Sequence, residues 1–158
     1  GVAVARGGGE EGGGGRFTEE EARGHLARAA AAFKARDLPA AAAAFRQALG
    51  VARLGNLPEI EARAMGNLAT VNKQQQHLTI AIRQYKESIK LFRRLGTLES
   101  QEMVRKMLNF ITLCCIEAER YACAKMYCTE LLSISMKKEN IYTLRQRLEK
   151  IDQLMSCS

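Results

Sequence analysis

Tryptophan is absent from the chain, only two of its 158 residues are proline, and aromatics make up just 6%. With so few aromatics and no aromatic-plus-basic motif, no surface for stacking nucleobases is expected. No apolar run approaches the roughly 20 residues that a bilayer-spanning helix needs. The opening lacks the charged-then-apolar plan of a secretory signal and starts at Gly rather than Met, so it reads as a truncated or processed start. Histidine is nearly missing as well: His25 and His77 lie far apart, and no acidic pair, nucleophile elbow, P-loop or metal motif accompanies them. Acid–base chemistry needs titratable groups held together in a water-poor pocket. The expectation is a protein that is not an enzyme and that carries no cofactor.

Five cysteines are present, an odd number, with no CxxC pair and no neighbouring histidine to complete a zinc set. Cys114, Cys115, Cys123, Cys128 and Cys157 read as small buried hydrophobes in a reducing cytosol or nucleus. The net charge of +7 is spread thinly, and no block of five or more Lys/Arg occurs. Such a balance favours acidic partners in general. Nucleic-acid binding is the weaker reading, one that a steep salt dependence would support.

After residue 17 the sequence is dominated by Ala, Leu, Glu, Lys, Arg and Gln, the composition of an all-α fold. Residues 1–17 are glycine-rich with little to bury, so a flexible tail is expected there. Thr18 with Glu21 has the spacing of a capping box and predicts the first helix start. Asp37 is placed to cap a second helix with Pro39 in its first turn, and Leu57-Pro58-Glu59 predicts the start of a third. QQQH (74–77) marks a turn before a fourth helix, whose Leu78, Ala81, Ile82, Tyr85, Ile89 and Phe92 form one apolar stripe. Leu95-Gly96-Thr97 closes it and caps a fifth. A sixth begins near Arg120 and a seventh after Lys137-Lys138, with Ile141, Leu144, Leu148, Ile151 and Met155 on one stripe.

Helices two, four and six repeat a pattern: AAAAAFRQAL (40–49), IAIRQYKESI (80–89) and CAKMYCTELL (123–132). Ala41, Ala81 and Ala124 mark a period near 40 residues that drifts in the third unit. FKARDLPAAAAAFRQAL resembles the second half of a tetratricopeptide (TPR) repeat, with Ala41, Phe45 and Ala48 at its A-x3-F/Y-x2-A positions. Ala81, Tyr85 and Ser88 echo it, and Ala124, Cys128 and Leu131 depart from it. RLGNLPEIEARAMGNLATV is similar to the longer, roughly 40-residue repeats of Pins-type G-protein-signalling modulators. The family's early Trp is missing, and Ala29 and Ala69 stand where Gly is usual. The resemblance covers about residues 20–135. It implies a right-handed superhelical array of three TPR-like hairpins, over 18–55, 56–96 and 97–137. Residues 138–158 then form a polar-faced capping helix, which the apolar stripe allows to be read instead as a dimerising coiled coil.

In TPR arrays the first helix of each hairpin lines a concave groove that binds peptide. The resemblance therefore places Arg63, Asn67 and Thr70 in the groove, with Arg105 and Asn109 one repeat on and Arg23 one repeat back. Arginines there would pair bidentately with carboxylates of an acidic peptide or helix, and the asparagines would clamp its amides. The competing reading is that each Arg is a solvated surface group. The chaperone-type carboxylate clamp is not expected, because the first repeat offers Leu26 and Ala30 where Lys and Asn are needed. The expected function is a protein-interaction scaffold. The alternative is a subunit packed permanently into an assembly through the Cys- and Met-rich third repeat and the last helix.

Overall fold

A computed structural model describes the backbone of residues 8–135 and 137–157, and side chains from Thr18 onward. Among these residues the chain is all-helical: α1 (Gly8–Lys34), α2 (Leu38–Leu54), α3 (Pro58–Gln74), α4 (Leu78–Leu95), α5 (Leu98–Glu117), α6 (Tyr121–Ile134) and α7 (Lys138–Ser156). The starts follow from local chemistry. The Asp37 carboxylate accepts from the Ala40 amide and caps α2, and proline lies in the first turn of both α2 and α3. Gly96 closes α4 in the left-handed region at φ 65°, and Thr97 with Ser100 forms a reciprocal capping box for α5.

One start differs from expectation. α1 begins at Gly8, so Thr18 lies inside the helix instead of at its cap. Each glycine in a helix costs about 1 kcal/mol relative to alanine. Extension from an existing helix nevertheless adds one hydrogen bond per residue without a new nucleus. Of the expected flexible tail, residues 1–7 lie outside the described residues.

Four of the turns are built alike. Arg36, Asn56, Gln76 and Glu119 each take a left-handed φ between 52° and 66°. The residue after each donates its N–H to the carbonyl five residues back: Asp37 to Ala32, Leu57 to Ala52, His77 to Asn72, Arg120 to Cys115, at 2.8–2.9 Å. This is the Schellman closure, and it satisfies carbonyls that the helix end would otherwise leave bare. Arg36, Gln76 and Glu119 sit at the α1–α2, α3–α4 and α5–α6 turns, 40 and then 43 residues apart. They define the register of the repeat independently of any side-chain match.

Each helix packs on its neighbours in the chain, and α3 also touches α1 and α5. The small positions of the repeat carry this packing. Ala41, Ala81 and Ala124 are each the fourth residue of their helices and fully buried, and Phe45, Tyr85 and Cys128 follow four residues later, also buried. The main core runs from α3 to α7 around Tyr85, Phe92, Leu108 and Ile111. Side chains such as Phe92, Leu108 and Ile111 each contribute roughly 1.5–3 kcal/mol when fully buried. Gly66 permits a close approach: Ser88 crosses from α4 to donate a 2.8 Å bond to the Ala62 carbonyl of α3. The middle of the apolar stripe of α7 is spent within the chain, with Leu144 and Ile151 buried and Leu148 packed against the same core, while Met155 is exposed. Cys114, Cys115 and Cys128 are buried too.

Candidate binding cleft

The repeated turns show which side chains stand at equivalent places. Arg63 lies as far before Gln76 as Arg23 lies before Arg36 and Lys106 before Glu119. The three form one outward row of cations. Arg105 is therefore not the counterpart of Arg63, because the third unit carries three more residues ahead of its turn. Its true counterparts are Ala22 and Ala62, both fully buried. Asn109 likewise answers to Gly66, and the place of Asn67 is taken by Phe110. The expected ladder of Arg23, Arg63 and Arg105 is thus one residue, about 100° of helix, out of register in its third rung.

The two arginines of the row are internally paired. Glu19, Glu59 and Glu102 stand one turn before Arg23, Arg63 and Lys106. Arg23 donates to Glu19, and Arg63 donates to both Glu59 and Glu99. Exposed pairs of this kind are worth about 0.2–1 kcal/mol each, so they stabilise little but largely cancel the positive field of the row. The Thr70 hydroxyl is committed inward, bonded to the Gly66 carbonyl and, at 2.8 Å, to the Tyr85 hydroxyl. Burial pushes that Tyr85 hydroxyl up to about 12, so it stays protonated and remains available as a donor. Asn67 is exposed and borders a small hollow with Phe33 and Phe45.

Arg105 and Asn109 instead meet in a different place. A cleft of about 280 Å³ opens between α5 and α7, lined by Glu102, Arg105, Lys106 and Asn109 of α5 and by Asn140, Thr143 and Arg147 of α7. α6 has 14 residues where α2 has 17 and α4 has 18, and its end lies at the cleft, which Leu131 and Ser135 also line. Arg147 donates a 2.8 Å bond to the Asn109 side-chain oxygen, which ties α7 to α5. One N–H of Arg105 reaches Glu102, while its Nε is shut off from water with no acceptor. Among the described residues, three cations thus line the cleft with a single carboxylate.

Sequence reasoning found Arg105 and Asn109 but missed Lys106, Arg147 and Phe110. Phe110 stacks at a tilt on Tyr85, ring centroids 6.1 Å apart, and is itself partly exposed. The signal for Lys106 and Phe110 was present in the turn residues, since Gln76 and Glu119 lie 43 apart. The molecule is an all-helical, repeat-like protein, and no helix among the described residues is long and apolar enough to cross a membrane. Compared with protein-family models and with curated proteins, the chain matches none.

Proposed function

We propose that the chain is a non-enzymatic interaction scaffold whose three hairpins stack in the right-handed manner of TPR arrays, with α7 as the cap. Its role is to hold an acidic segment of a partner protein. Support for the stacking comes from the shared turn geometry, the buried alanines at equivalent places and the contacts of α3 with both α1 and α5. The observation that carries the binding role is the charge imbalance of the α5–α7 cleft: Arg105, Lys106 and Arg147 against Glu102 alone. Planar guanidiniums pair with carboxylates through two parallel bonds, which favours this cleft over the self-neutralised row of Arg23 and Arg63. A permanently packed subunit is the less favoured reading: Leu144, Leu148 and Ile151 of α7 and most of the third-repeat cysteines are turned inward, which leaves Met126 and Met155 as exposed groups for it.

The test is fluorescence polarisation of the full chain with a labelled degenerate peptide library rich in Asp and Glu. Losing one charge-assisted pair costs about 1.5–3 kcal/mol, so Arg105→Gln with Arg147→Gln is expected to weaken binding at least tenfold. Arg63→Gln is expected to leave it within about twofold, as an exposed pair is worth little. Equal loss in both variants, or no binding by the unaltered chain, would overturn the proposal.

A further inference from the structure

Resting on the reading of the α5–α7 cleft as an anchor for acidic segments, we infer that the group it is built to take is a phosphorylated serine or threonine side chain of the partner. Charge comes first. One carboxylate from a partner would leave the cleft with a surplus, since Arg105, Lys106 and Arg147 oppose only Glu102. A phosphate monoester carries about −1.5 to −2 at neutral pH and so matches the remaining two positive charges.

Donor count points the same way. Each guanidinium offers five N–H groups and the ammonium three. Glu102 accepts from Arg105 and the Asn109 oxygen accepts from Arg147, leaving most of these donors without an acceptor among the described residues. The Arg105 Nε is the sharpest case: it is withdrawn from water with no acceptor among the described residues, although leaving a buried donor unpaired is costly. Its buried counterparts elsewhere in the repeat are alanines, so packing alone gives no reason for an arginine there. A phosphate presents three acceptor oxygens in a tetrahedron, enough for both guanidiniums and Lys106 at once. A carboxylate presents two oxygens in a plane. The Asn140 amide on the α7 wall adds a neutral donor to the same space.

The experiment uses the full chain and three labelled peptide libraries, identical except for phosphoserine, glutamate or serine at a fixed centre. Polarisation is expected to show the phosphoserine library bound about tenfold tighter than the glutamate library, as one added charge-assisted bond provides. Inorganic phosphate is expected to compete with the phosphoserine library. Arg147→Gln and the exposed Lys106→Gln, each checked for unchanged helicity, are expected to erase the preference. Equal affinity for phosphoserine and glutamate would overturn the phosphate assignment and leave the acidic-segment reading standing. Binding of neither above serine would overturn both. A phosphoserine preference that survives both substitutions would place the phosphate elsewhere on the chain and overturn the assignment to this cleft.

Discussion

Gly66→Ala probes a close contact of α3 with α4 and α5. A Cβ at residue 66 would stand 2.9 Å from the Met107 sulfur and 2.9 Å from the Ser88 hydroxyl oxygen. The thioether can yield by rotation. The hydroxyl cannot, because it is fixed by its 2.8 Å bond to the Ala62 carbonyl and is fully buried. Turning it away leaves a buried hydroxyl unpaired, a cost of about 1–3 kcal/mol. Alanine returns about 1 kcal/mol of helix propensity. The expected result is net destabilisation of up to about 2 kcal/mol, a Tm lower by up to roughly 8 °C for a chain of this size. Urea unfolding followed by far-UV circular dichroism measures it, with the midpoint falling and the slope unchanged. In a Ser88→Ala background the obstructing hydroxyl is gone, and the cost of Gly66→Ala is expected to shrink by about 1 kcal/mol or more. If Gly66→Ala instead stabilised the chain equally in both backgrounds, the inferred crossing contact would be refuted.

Three further outcomes follow from the same structure. Glu119 holds a left-handed φ of 58° on an exposed turn, so Glu119→Gly is expected to raise stability by about 0.5–1 kcal/mol in urea unfolding; a loss would mean that the turn is not left-handed. Burial pushes the Cys115 thiol and the Tyr85 hydroxyl up to about 12 from ordinary values of 9.0 and 10.0. The unfolded chain therefore gives up these protons first, and stability should fall as pH rises from about 9 to 12, by up to about 1.4 kcal/mol per pH unit for each group. A flat denaturation midpoint across that range would contradict the burial of both groups. Alkylation of the native chain, followed by peptide mass spectrometry, is expected to modify exposed Cys157 first and to spare Cys114, Cys115 and Cys128 until unfolding; early modification of Cys115 would contradict the packing.

Helix existence and most boundaries were legible because their signals are local. Asp37, Pro58, Gly96 and Thr97 act within one turn of where they stand, and the period-40 alanines fall where packing demands small residues. The start of α1 was not legible, since the composition of residues 8–17 gives no local reason for a helix. The site was half legible. Arg105 and Asn109 looked equivalent to Arg63 and Asn67 because a 42-residue offset matches their identities, while the turns impose 43. A one-residue slip rotates a helical side chain by about 100°, so identity matching chose the wrong face. Arg147 was out of reach for a different reason. Its contact with Asn109 spans 38 positions and joins helices that are not neighbours in the chain, a tertiary consequence that no local pattern encodes.

The most direct test of the binding proposal is a residue-resolved one. Backbone amide NMR spectra of the full chain, titrated with the Asp/Glu-rich peptide library, report where the acidic segment sits. The account predicts shifts concentrated at Lys106, Asn109, Thr143 and Arg147, the two walls of the α5–α7 cleft. Shifts concentrated at Arg23, Arg63 and Asn67, with the cleft residues unmoved, would contradict it.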